Sequence, residues 1–201
     1  MFNLTSSELK TLTALSTPAK IQNFLDTLPF NFEKNGETCM SPRRVLEEKK
    51  AHCIEGAMLA ATALMLQGQK PLILNLKVKE SDFDHALALY KINGYWGAIS
   101  KTNHAVLRFR DPIYRTVREL ALSYFHEYFL VTTGEKTLLG YSRPITMNRF
   151  GTSWITRKDD LWDIAEYIYD AKYQSLVPRE NKKYIEEASS LEQKAASIPQ
   201  W

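Results

Sequence analysis

Ala51-His52-Cys53-Ile54-Glu55-Gly56-Ala57 sets a cysteine at the point where a polar, lysine-rich run, Leu46-Glu47-Glu48-Lys49-Lys50, gives way to an apolar one. From Ile54 to Leu66 the apolar positions run nearly all round a helix: Ile54, Ala57, Met58, Leu59, Ala60, Ala61, Ala63, Leu64, Met65 and Leu66. A helix apolar on every side is a central, buried one. Gly68, with Pro71 beyond it, stops it. The thiol at its start meets the positive end of the helix dipole, which favours the thiolate.

Outward from this helix, Leu72, Leu74, Leu76 and Val78 alternate with Asn75, Lys77 and Lys79, the period of a strand. An acidic turn, Glu80 to Asp84, leads to His85. The segments 85–92 and 95–100 flank Asn93-Gly94, the strongest short-range hairpin signal. Cysteine at a helix start and histidine at a strand start are an arrangement in which two groups distant in sequence meet in space. The imidazole holds the thiol as thiolate and later protonates the leaving amine. The backbone N–H of Cys53 is a candidate oxyanion donor.

A third group should orient His85. A two-residue turn places Ile92 opposite Tyr95 and His85 opposite Thr102, with Ser100 a diagonal neighbour on the same sheet face. A three-residue turn with a bulge slips the pairing by one and brings Asn103 opposite His85. Asn103 is the chemically better acceptor, and the pattern does not choose between the two.

Toward the N-terminus, Ser6-Ser7-Glu8 caps a helix carrying Leu9, Leu12 and Leu15. Pro18 starts another whose face is Ile21, Phe24, Leu25 and Leu28. Positions 31–40 read as a loop, and Ser41-Pro42 as the cap and first residue of a short helix. Beyond the hairpin the patterns predict a helix over 117–130, a loop towards Pro144 and an amphipathic stretch over 159–176. After Pro178 a polar helical tail is expected over 179–201.

The totals fit this picture. The chain has 201 residues, 44% hydrophobic and 24% charged, with a net charge of +3. That suits one domain, 1–178 with its core at about 41–130, followed by the tail. Cys39 and Cys53 are the only cysteines and read as free thiols of a reducing compartment, so a cytoplasmic location is expected. The opening residues show neither the basic nor the apolar region of a signal peptide, and no apolar run is long enough to span a bilayer. Arg108, Arg110, Arg115 and Arg118 could form an anion patch; pairing with Asp111 and Glu119 is the expected alternative. Nucleic acid is therefore not the expected partner. His52, Cys53, His85 and His104 lack the paired spacing of a zinc site, so neither a metal nor a cofactor is expected, and His52 reads as a surface or internally bonded histidine. Glu55 favours the helix dipole but opposes a thiolate at Cys53 unless it is paired.

The segment from Arg43 to about Thr102 resembles the transglutaminase-like core of the papain-like cysteine enzymes. The matching features are Cys53 and its apolar helix, the exit Leu66-Gln67-Gly68, the strand, His85, and Asn93-Gly94-Tyr95-Trp96. The resemblance implies an α+β fold, with the cysteine helix packed on a mainly antiparallel sheet and extra N- and C-terminal helices. It also implies acyl transfer on a peptide or protein amide, by hydrolysis or by amine transfer, with Cys53 attacking. Two departures stand out. Where the family places Asp, this chain has Ser100, and no Trp or Tyr precedes Cys53 to serve the oxyanion; Gln22, Asn31 and Asn35 are the candidate substitutes. A non-catalytic binding module on the same fold is the alternative function. The oligomeric state stays open.

Overall fold

The computed structural model describes residues 2–198. Four helices lead into the sheet: α1 (Ser6–Ala14), α2 (Pro18–Thr27), α3 (Pro42–Glu48) and α4 (Cys53–Leu66). Each of the first three starts on a side-chain cap. Thr5, one residue before the expected serines, forms a reciprocal capping box with Glu8, while Thr17 and Ser41 each cap ahead of a proline at the first helical position. The strands follow as β1 (Leu72–Val78), β2 (His85–Ile92), β3 (Tyr95–Ser100) and β4 (Arg110–Tyr114). After α5 (Val117–Leu122) come β5 (Leu138–Ser142), β6 (Ile145–Thr146), α6 (Trp162–Tyr169), β7 (Tyr173–Ser175) and α7 (Ser190–Ala196).

The strands make one sheet in the order β4-β3-β2-β1-β5-β7, with β6 also pairing β1, and every pairing is antiparallel. The fold is thus α+β with α4 packed on the sheet. Two cores lie on its two faces, and strand alternation decides which residues join which. In β2, Ala86, Ala88 and Tyr90 face the core shared with α4, whereas Leu87 and Leu89 face the other. Small Ala86 and Ala88 lie beneath the helix. On its far side Leu12, Ile21, Leu25, Val45, Trp154 and Ile164 close over α4, which explains why it is apolar all round. Each such leucine or isoleucine contributes about 1.5–3 kcal/mol by leaving water.

Asn93 (φ 51°) and Gly94 (φ 88°) form the two-residue turn, and β2 and β3 pair from Ile92↔Tyr95 to Leu87↔Ser100 without a bulge. Three expectations differ. The helix expected over 117–130 ends at Leu122, where the Ser123 hydroxyl bonds back to Leu120 O, and a 3₁₀ turn over Phe125–Glu127 follows. The stretch read as a loop towards Pro144 contains β5, which pairs with β1. The amphipathic stretch 159–176 yields a helix only to Tyr169, then β7 on the sheet edge. β4 carries Pro112 on the edge of the sheet, where a proline is tolerated.

Beyond Pro178 the chain makes a 3₁₀ turn and α7, whose Ala196 packs with Phe129 and Ala188. Of the expected tail, residues 199–201 lie outside those described. Among the described residues, no helix is long and apolar enough to cross a membrane.

Candidate active site

Cys53 is the first residue of α4, His85 the first of β2 and Ser100 the last of β3, so three element ends converge on one point. The turn before His85 is tied down by Asp84. Its carboxylate accepts from Asn75 Nδ2, Lys77 Nζ and Val78 N, each at 3.0 Å. The Tyr128 hydroxyl donates to Phe83 O at 2.6 Å, and its ring packs edge-on to the His85 imidazole with centroids 6.5 Å apart. Cys53 Sγ lies 4.0 Å from Asp84 O.

His85 Nε2 lies 2.8 Å from Ser100 Oγ, and Ser100 Oγ donates to Leu107 O at 2.6 Å. A hydroxyl has one hydrogen. Because that hydrogen goes to Leu107 O, Ser100 Oγ accepts from Nε2–H, and Nδ1 is left as the ring nitrogen available to the sulfur. Leu107 holds the left-handed backbone conformation (φ 60°), a strained state for leucine. The Ser100 backbone is clamped by Gln22, whose Oε1 accepts from Ser100 N at 2.9 Å and whose Nε2 donates to Ser100 O at 2.8 Å. Asn103 lies in the bend after β3, and the ring bond of His85 goes to Ser100 instead. The unslipped hairpin is the reason: the bulge that would set Asn103 opposite His85 is absent from the β2–β3 pairing.

Gln22 and Asn31, considered as oxyanion donors, are both committed elsewhere. Gln22 holds Ser100, and Asn31 Nδ2 donates to Thr38 Oγ1 at 2.8 Å and Glu55 Oε2 at 3.3 Å. Tyr169, at the end of α6, brings its phenol into interaction with the Cys53 sulfur. Burial, the negative sulfur and hydrogen bonding to it push the phenol well above its usual value, so it remains a donor. Nothing in the local sequence around Tyr169 signals this, because α6 reaches the site from the far end of the chain.

The sulfur is half-buried. Burial raises its pKa, but hydrogen bonds with His52 and His85 and the charge of both rings outweigh it and bring the thiol down to about 5. Cys39 behaves oppositely. Fully enclosed, and facing the Glu55 carboxylate, it is pushed up to about 12, as suits a small hydrophobe. His104 faces His85 from the loop after β3, and burial lowers its pKa.

Of the arginines expected to form an anion patch or pair with Asp111 and Glu119, Arg115 meets Glu119 through its backbone N–H, at 2.8 Å, and the other three take other partners. Arg108 pairs with Asp26 at 3.5 Å, Arg110 with Glu127, and Arg118 donates to Leu176 O at 2.9 Å. Among the described residues, no group of three or more His, Cys, Asp or Glu side chains is placed to hold a metal ion.

No curated protein matches the chain. The model of a family described as a transglutaminase-like domain matches residues 2–117. The matched stretch runs from α1 to the first residue of α5, taking in Cys53, His85 and Ser100. The match spans more than half of the 201 residues, and the chain belongs to the transglutaminase-like domain family.

Proposed function

We propose that the protein is a cysteine amidase or hydrolase acting on a peptide or protein amide. Cys53 thiolate attacks the amide carbonyl. The C–N bond breaks as His85 gives a proton to the departing nitrogen, leaving a thioester on Cys53. Water or an acceptor amine then attacks the thioester, His85 takes the proton released, and the Cys53 thiolate is regenerated. Ser100 orients His85. The Cys53 backbone N–H at the helix start and the Tyr169 phenol supply donors where negative charge develops on the carbonyl oxygen.

The observation that carries this reading is the bond between Nε2 of His85 and Ser100 Oγ, which leaves Nδ1 to meet an anionic sulfur. A panel of peptide amides, assayed for released amine or ammonia, tests it. Turnover is expected from the wild type and not from Cys53→Ala or His85→Ala; turnover that survives in Cys53→Ala rejects it.

The second reading is a binding module without turnover. The hydroxyl of Ser100 favours it, because a neutral acceptor stabilises imidazolium less than a carboxylate does. A wild type silent against the whole panel, yet binding a peptide in the site, would support that reading.

A further inference from the structure

We propose that a groove between the β5–β6 turn, α6 and β7 binds a phosphate monoester carrying a flat ring, the chemistry of a nucleoside monophosphate. The proposal goes beyond the amidase reading and does not depend on Cys53.

The groove encloses about 560 Å³. Sites for small organic ligands run from roughly 300 to 1,000 Å³, so a nucleotide suits it and a bare phosphate would leave most of it empty. Three separate segments each bring a cation to it. Arg143 stands in the turn between β5 and β6, Arg149 in the 3₁₀ turn over Met147–Phe150, and Lys172 in the connection from α6 to β7. No carboxylate lines the groove; Glu166 and Asp170, close by in sequence on α6 and at its end, are exposed and stand outside the lining.

Elsewhere in the chain arginines meet acids: Arg43, Arg44, Arg108, Arg110 and Arg157 each pair with a carboxylate. Among the described residues, neither Arg143 nor Lys172 has an ion pair or a side-chain hydrogen bond. Like charges gathered round one groove repel, and an anion among them removes the repulsion.

Arg149 is held in place without being neutralised. Its guanidinium carbon lies 3.8 Å from the centre of the Tyr167 ring, and it donates to the Tyr167 hydroxyl. Phe150 braces the same ring edge-on, with centroids 5.5 Å apart. A fixed guanidinium matches two oxygens of a phosphate. Gln174 adds a neutral donor. Its Oε1 accepts from the Tyr141 hydroxyl at 2.7 Å, which leaves its Nε2 to donate. The groove thus offers positive charge and N–H donors with no acid to compete.

Tyr173, the first residue of β7, supplies a surface for the ring. It is 48% exposed. A Cβ on Gly140 would sit 2.5 Å from Tyr173 Cδ2, so the ring rests on the bare backbone of β5. The exposed part of the ring is open to stacking, which any flat heterocycle can use.

The test is isothermal titration calorimetry of the full-length protein with AMP, adenosine and inorganic phosphate at low salt. AMP should bind about tenfold or more tightly than either of its parts. Arg143→Gln and Lys172→Gln should each weaken AMP about tenfold, the cost of one charge-assisted hydrogen bond. Tyr173→Ser should weaken AMP and leave phosphate unchanged. No binding of AMP at millimolar concentration, or an affinity unchanged in both Arg143→Gln and Lys172→Gln, overturns the proposal. AMP held no more tightly than inorganic phosphate overturns the assignment of the ring. Should a variant fail to fold, the ¹⁵N amide spectrum of the wild type decides instead. AMP should shift signals of residues 143–149 and 171–174, and shifts confined to other residues overturn the proposal.

Discussion

Ser100 Oγ gives its hydrogen to Leu107 O at 2.6 Å and takes one from His85 Nε2 at 2.8 Å. This relay fixes the ring's tautomer without a carboxylate. It depends on three local features: an unslipped β2–β3 pairing, the Gln22 clamp on the Ser100 backbone, and a strained Leu107 that delivers its carbonyl to the hydroxyl. Ser100→Ala removes the acceptor and leaves His85 free to turn. Amide turnover should fall by about a hundredfold, the lower part of the range for general acid–base catalysis, with KM little changed. Steady-state kinetics on the best amide of the panel checks this, and a variant with unchanged kcat would show that Ser100 does not orient the ring.

Tyr169→Phe removes the one side-chain donor that reaches the sulfur from α6. Loss of a single oxyanion donor costs roughly 10²–10³ in kcat, and a comparable fall is expected here. Cys53 should still alkylate at neutral pH, because the two histidines remain. Equal losses of alkylation and turnover would point to a packing role for the phenol instead.

Glu55 holds together the loop 31–40 and the start of α4, its buried carboxylate accepting from Asn31 Nδ2, Thr38 Oγ1, Met40 N and His52 N. Glu55→Gln places an amide where only acceptors are wanted and removes the partner of His52. A loss of about 3–5 kcal/mol is expected in urea unfolding, as for other broken buried pairs. The pH dependence follows from the lowered carboxylate pKa. Its contribution is present above the ordinary glutamate value of 4.5 and is lost as pH falls through the lower folded value. Wild-type stability should therefore fall on acidification below 4.5 more steeply than that of Glu55→Gln; parallel curves would contradict the assignment.

Gly56 lies against β3's exit. A Cβ there would sit 2.5 Å from Lys101 Cβ, a contact that only backbone movement relieves. Lys101 cannot give way, since it is fully buried and its Nζ caps α2 by donating to Leu25 O and Leu28 O. Gly56→Ala should cost about 1–3 kcal/mol, the usual penalty for overpacking. Because Ser100 precedes Lys101 directly, turnover at a temperature where the variant is folded should fall as well. Thermal unfolding and kinetics on one preparation measure both.

Much of the geometry is written in short patterns. Asn93-Gly94 fixes the turn, the turn fixes the register, and the register sets Ser100 and not Asn103 beside the His85 ring. The all-round apolar run from Ile54 announces the central helix before any contact is known. Other parts depend on contacts that no local pattern carries. β5 reads as a loop because Gly140 interrupts a short strand whose partner, β1, lies far back in the chain. Tyr169 ends a helix whose apolar stripe speaks only of packing.

Covalent capture of Cys53 tests the central claim most directly. An activated acyl ester such as p-nitrophenyl acetate should release a stoichiometric burst of nitrophenolate as the Cys53 thiolate becomes a thioester. Peptide mapping should place the acyl group on Cys53 and leave the enclosed Cys39 unmodified. Cys53→Ala should show no burst. A burst of undiminished size in Cys53→Ala, or a wild type that acquires no acyl group on Cys53, would contradict the assignment of this cysteine as nucleophile.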